Sequence, residues 1–148
     1  MIRTTVVLLG LLLAGQAQAA CEFEIEVGDM LQFSTAEMTV ESSCETVTVT
    51  LKHTGTLPAA AMGHNWVLTK TADFEAVAQA GMGAGLEASY VPADDARVIA
   101  ATKIVGGGES STTSFSPADL EAGGSYKFFC SFPGHWSIMQ GTLNITWQ

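Results

Sequence analysis

The sequence predicts an all-β fold, an antiparallel Greek-key β-sandwich with one short helix in an inserted flap. Three observations carry that expectation. Short runs alternate apolar with polar residues, the period of a strand buried on one face. Gly-rich or polar breaks separate the runs, as at Gly106-Gly107-Gly108 and Gly123-Gly124. A single stretch, Thr71 to Ala80, has helical spacing instead. Short strands at regular spacing with turns between them favour a sandwich.

The elements follow in order. Phe23 to Val27 alternates apolar and acidic residues. Thr46 to Lys52 places Val47, Val49 and Leu51 on one face, and Asn65 to Lys70 carries Trp66-Val67-Leu68 between turns. In Thr71 to Ala80, Phe74, Val77 and Ala78 recur at helical spacing behind Asp73, a candidate N-cap. Arg97 to Ala101 is short and apolar. Ser111 to Phe115 and Ser125 to Cys130 are rich in β-forming residues. Thr142 to Trp147 sets Leu143, Ile145 and Trp147 against polar neighbours.

The chain has 148 residues, the length of one domain. Hydrophobic residues make 47% and charged residues 14%, which excludes a largely disordered chain. A net charge of −9 argues against nucleic acid as a partner, because phosphate binding needs clustered Lys and Arg. Met1 to Ala19 reads as a secretory signal peptide. Arg3 is its positive start, Val6 to Ala14 its apolar run, and Ala17-Gln18-Ala19 its cleavage signal. That run is too short for a comfortable membrane span, and no later segment is long enough. The expected mature domain is residues 20–148, with no stable membrane insertion. It loses only Arg3, so its charge becomes −10.

Exported proteins usually pair their cysteines, and this chain has three. Cys21 and Cys44 lie near each other at the start of the domain. Closing that loop stabilises a fold by about 3 kcal/mol in the chain-entropy description. Cys130 is then left over. It is a buried inert thiol, a metal ligand or a reactive group.

The segment Tyr126 to Gly141 favours the metal ligand. Cys130, His135 and Met139 stand at C-x4-H-x3-M spacing between two predicted strands, with the turn-forming Pro133-Gly134 inside. Thiolate, imidazole and thioether form a soft set that suits copper. A second imidazole is available at His64, directly before a strand, and Gly63 lets its backbone carbonyl approach as a weak further contact. Singly, each residue is more often packing or surface than a ligand. Two His, one Cys and a weak axial Met together make the blue-copper arrangement.

These residues also resemble a family. Met62-Gly63-His64-Asn65-Trp66-Val67-Leu68, Arg97-Val98-Ile99-Ala100 and Phe128-Phe129-Cys130 through Phe132-Pro133-Gly134-His135 are similar to the azurin family of type 1 blue-copper proteins, within the cupredoxins. The likeness covers essentially the whole mature chain. It implies a cupredoxin-like sandwich with a helical flap and a Cys21–Cys44 disulfide. It also implies one copper ion, Cu(II)/Cu(I), held by Nδ1 of His64 and His135 and by the Cys130 thiolate. Met139 and the Gly63 carbonyl would be weak axial contacts. Asn65 would tie the two ligand segments together and bond the sulfur, and Phe132 would lie beside it. His53 matches a family histidine near the site that titrates with pH. A plain packed imidazole serves nearly as well there.

The implied function is periplasmic one-electron transfer. Partners would be redox proteins such as c-type cytochromes or copper or haem reductases. Four protein ligands leave no open position for substrate, which argues against an enzyme. Met62, Met82, Pro133 and Trp136 would form an apolar docking patch around His135. Trp136 departs from the small residue common there in azurins, and Ala101 stands where the family has a surface His. Rival readings are a copper carrier, a zinc hydrolase and a metal-free binding module. The chain has no Met-rich or His-rich tract for the first. No carboxylate lies in the ligand segments for the second. The third leaves all four ligand types without a purpose.

Overall fold

The structure, a computed structural model, describes residues 21–147. The expected leader, residues 1–19, lies outside the described residues. Two sheets face each other. Strands β1 (Glu22–Val27), β3 (Val47–His53) and β6 (Ser110–Phe115) form one, in the order β1-β3-β6. The other runs β2-β8-β7-β4-β5, with β2 at Glu37–Glu41, β4 at Val67–Lys70, β5 at Ala100–Ala101, β7 at Tyr126–Phe129 and β8 at Gln140–Thr146. Helices α1 (Ala59–Met62) and α2 (Phe74–Ala84) interrupt the strands.

Period-two patterning explains the core. Along β3, Val47, Val49 and Leu51 are buried while the residues between them are not. They meet Ile25 and Val27 of β1 and, across the sandwich, Val40, Leu68, Phe128 and Leu143. Trp66 fills the middle, stacked between Phe115 and Phe128 with ring centroids 6.3 and 5.8 Å away. Strand β4 is buried on both faces, at Val67, Leu68 and Thr69. Its outer face lies under α2, where Val67, Phe74, Val77, Ala78 and Phe129 make a second small core. The flap helix is therefore amphipathic because it has a sheet face to cover.

The structure refines several expectations. The sandwich is not purely antiparallel, since β1 pairs parallel with β3 and β2 parallel with β8. No hairpin joins those pairs. The chain passes from one sheet to the other at β2 and back at β3. The Cys21–Cys44 disulfide, with Cα atoms 5.7 Å apart, fastens the start of β1 to the turn before β3. Both strands thus leave the same end of the molecule. β2 was not among the predicted strands, because two apolar residues, Met38 and Val40, make too short a pattern. The strand expected at Arg97–Ala101 shrinks to two residues. Asp95 accepts from the Arg97 backbone N–H at 3.0 Å and from its guanidinium, which holds the segment in a turn. Helix α2 starts at Phe74 and runs on to Ala84. Asp73 occupies its N-cap position without a side-chain cap bond.

Replacing Cys21 and Cys44 together by Ser should lower unfolding free energy by about 3 kcal/mol, since a loop of that length is no longer closed in the unfolded chain. Urea denaturation of the metal-free variant measures it. A midpoint equal to the parent's would show that the bridge holds nothing the sheets do not.

Candidate metal centre

The site sits where two chain segments meet at one end of the sandwich. The first is the turn from α1 into β4. Gly63 closes α1, and a Cβ there would lie 2.3 Å from the Ala59 carbonyl oxygen. Only glycine fits so close an approach. His64 follows, its backbone paired both ways with Val105 at 3.0 and 2.9 Å. Its Nε2 lies 3.0 Å from the Gly28 carbonyl oxygen. An acceptor at that position makes Nε2 the protonated nitrogen and leaves the Nδ1 lone pair free.

The second segment joins β7 to β8. Pro133-Gly134 makes a turn with Gly134 at φ +84°, closed by the His135 N–H on the Phe132 carbonyl at 2.9 Å. Proline then positive-φ glycine is the type II sequence. The turn brings His135 back over Cys130. Met139 returns beside both, its N–H donating to the His135 carbonyl at 2.8 Å and its carbonyl accepting from Cys130 N–H at 3.0 Å.

The result is a buried cluster. Cys130 Sγ lies 3.7 Å from His64 Nδ1 and 3.6 Å from His135 Nδ1. All three donors fall within 4.8 Å of one another. His64 and Cys130 are fully buried, Met139 is 1% exposed and His135 is 6% exposed. Backbone N–H groups of Asn65 and Phe132 donate to the sulfur. Burial nonetheless pushes the thiol up to about 12 in the metal-free protein. Burial, and then the neighbouring His135, lower His64 to about 4, and burial lowers His135 as well. Three uncharged donors aimed at one point have little reason to be buried together except to share an ion.

Comparison with known proteins agrees. Residues 19–146 match the family described as copper binding proteins, plastocyanin/azurin family. The chain belongs to that family. The azurin of Achromobacter denitrificans is 53% identical over 128 residues, 86% of each chain. That of Bordetella pertussis is 53% identical over 127 residues, 86% of this chain and 85% of that protein. Among solved structures, the azurin Az-iso2 of Methylomonas sp. strain J superposes with a TM-score of 0.83 at 44% identity. That match covers 86% of this chain and 99% of the other.

The donor geometry fits the family's metal. Bonds as long as those of zinc, about 2.0 Å to imidazole and about 2.3 Å to thiolate, separate N from S by roughly 3.7 Å when opened trigonally. The two distances found here meet that requirement. The cluster suits one copper ion, since two nitrogens with one soft sulfur accommodate copper in both oxidation states.

The other residues singled out in the sequence fall in different places. The Asn65 side chain spans both segments, accepting from Ser131 N–H and donating to Ser131 Oγ, each at 2.8 Å. The Phe132 ring stacks on His135 at 4.5 Å. His53 is buried behind His64, rings 5.2 Å apart, and both its nitrogens have backbone partners, Met62 O and Gly55 N–H. Pro133 and Met82 are exposed, and Met62 is half-buried. Trp136 is half-buried. Its ring meets Phe74 of α2 edge-on at 5.7 Å and joins the small core under the flap. Sequence reasoning missed Gly28, Ser89, Tyr90 and Ser131. Gly28 and Ser89 act through backbone carbonyls, which leave no side-chain signal. Ser131 and Tyr90 are ordinary residues until the fold gives them neighbours.

The buried imidazoles set a pH dependence. An unfolded His titrates near 6.5, and folded His64 near 4. Between those values the unfolded state binds more protons, so stability falls as pH falls. Metal-free protein should lose stability from about pH 6.5 down to about pH 4, by up to roughly 1.4 kcal/mol per pH unit for one histidine. Copper loading should steepen that slope, because the ligated imidazoles and thiolate carry no protons and the unfolded chain takes them up. Urea midpoints at pH 7, 5.5 and 4.5 test it, and a flat profile without metal would refute the buried neutral imidazoles.

Proposed function

We propose that the protein is a one-electron carrier, not an enzyme, working in the periplasm between redox proteins. The observation that carries this reading is the donor set itself: His64 Nδ1, Cys130 Sγ and His135 Nδ1, buried and already spaced for a trigonal metal. Bound copper supplies the one-electron couple. His64, Cys130 and His135 would hold it, and the Met139 thioether and the Gly63 carbonyl would be further weak contacts. The chain's own part is rigidity. Gly28, Asn65 and the β7–β8 turn hold each donor by bonds that do not involve the metal. A site already in place reorganises little when its charge changes. Neither Asp nor Glu belongs to the cluster, so it contains no general base for a metal-bound water.

Two features support the location. The Cys21–Cys44 disulfide suits an oxidising compartment, and Met1 to Ala19 has the form of a cleaved leader. No helix among the described residues is long and apolar enough to cross a membrane. For partners, we propose c-type cytochromes and copper or haem reductases, meeting the protein at the edge of His135. Exposed Pro133 and Met82 and half-buried Met62 offer apolar surface for a small, short-lived interface. Excess acid over base would steer partners with basic surroundings.

Adding Cu(II) to residues 20–148 should give an intense visible thiolate-to-copper band, absent in Cys130→Ser. Because the thiol is protonated before binding, about one proton should leave it per copper bound near pH 7. Absorption spectra and a pH-stat titration check both. A colourless copper complex, or a band surviving in Cys130→Ser, would end the electron-carrier reading.

A further inference from the structure

The flap contributes more to the metal centre than a cover for the sheet. After α2 the chain turns through Gly85 into Leu86–Ala88, a single 3-10 turn, and then into Ser89 and Tyr90. Both are in the left-handed region, at φ 56° and 52°. Two successive non-glycine residues there are uncommon, and side-chain crowding makes the conformation costly. Such outliers persist only where the surroundings over-determine them.

Here the surroundings are the metal loop. The Ser89 carbonyl accepts from Asn65 Nδ2 at 2.8 Å and from Ser131 Oγ at 3.4 Å. Ser89 Oγ accepts from the Ile104 N–H at 3.0 Å. The left-handed turn aims the Tyr90 ring at the loop, where its edge meets Phe132 at 5.3 Å and 70°. Phe132 in turn stacks on His135 at 4.5 Å and 30°. From the other side, helix α2 presses on the same turn. A Cβ at Gly81 would lie 2.1 Å from the Tyr90 carbonyl oxygen. Glycine at 89 and 90 would adopt this backbone more readily. Serine and tyrosine stand there instead, and both side chains are in use.

We propose that the Ser89–Tyr90 turn is a third clamp on the metal centre, with Tyr90 a positioning residue that holds the Phe132 ring, and through it His135 and the backbone beside Cys130. The first clamp is the Gly28 carbonyl on His64 and the second is the Asn65 amide on Ser131. The third differs because it belongs to the flap and works through rings. Edge-to-face contact keeps Phe132 stacked on His135, so the imidazole has one preferred tilt.

The inference rests on the copper reading of the site. The test uses the whole mature protein and three variants. Tyr90→Ala removes the ring, and Tyr90→Phe keeps the edge contact and discards only the hydroxyl. Gly81→Ala displaces the turn from the helix side without altering any residue that touches the metal loop. Three quantities are read: the position of the charge-transfer band, the reduction potential and the copper dissociation constant in competition with a chelator. Tyr90→Ala and Gly81→Ala should move the band and the potential in the same direction and raise the dissociation constant about tenfold, the scale of lost outer-shell contacts. Tyr90→Phe should match the parent in all three. A merely structural tyrosine would lower the melting temperature and leave band and potential in place, and that result overturns the clamp. If Tyr90→Ala does not fold, Gly81→Ala decides in the same way. A parent protein with no blue band refutes the electron-carrier reading and the clamp together, whereas a blue parent with unmoved variants refutes the clamp alone.

Discussion

The Asn65 side chain is the joint on which the site depends. The two ligand segments are 66 residues apart in sequence, and the pairing of β4 with β7 brings them together only as far as Val67 and Phe129. Beyond the last paired residues one amide carries the join on. It takes a hydrogen bond from Ser131 and gives one back, and it reaches a third segment at the Ser89 carbonyl. Every one of these groups is buried or nearly so, and an unmade bond would leave a desolvated donor or acceptor. The network is therefore satisfied as a whole or costly as a whole. That property fixes where Cys130 and His64 stand relative to each other before any metal arrives.

Burial then shapes the chemistry. A thiol in a dry site resists ionisation, and two imidazoles in the same site resist protonation. Without metal the three donors are neutral and tolerate one another. A cation reverses the balance for all three at once, because it stabilises the thiolate and needs the nitrogen lone pairs. The low-polarity surroundings that make the empty donors neutral are also what strengthens their hold on the ion. Among the described residues the cluster is two imidazoles and one thiol, with no carboxylate in it.

The surface around the site has a different logic. Trp136, next in sequence to His135, turns away toward Phe74 and helps seal the small core under α2. The half-buried ring expected in the docking patch is thus also a fastening between loop and flap. The flap touches the metal loop at two places, through Trp136 on one side and through Ser89 and Tyr90 on the other. Among the described residues, five basic side chains against fifteen acidic ones leave an excess of negative charge, and Lys52, Lys70, Arg97 and Lys127 each face a carboxylate or a ring.

Much of this was legible in the chain itself. Period-two runs identified most of the strands, because a strand with one buried face must alternate. The C-x4-H-x3-M segment and His64 named the donors, because few other chemistries ask for those side chains together. What the sequence could not disclose depends on distance. Parallel pairing of β1 with β3, the existence of β2, and the two-residue β5 follow from which sheet each strand joins. The Gly28 and Ser89 carbonyls act through backbone that every residue shares, so no residue type marks them. The direction of the Trp136 ring and the contact of Tyr90 with Phe132 depend on where the flap comes to rest. Side-chain chemistry is local and is written residue by residue, whereas the convergence of remote segments is a property of the packed chain and appears only when the chain is folded.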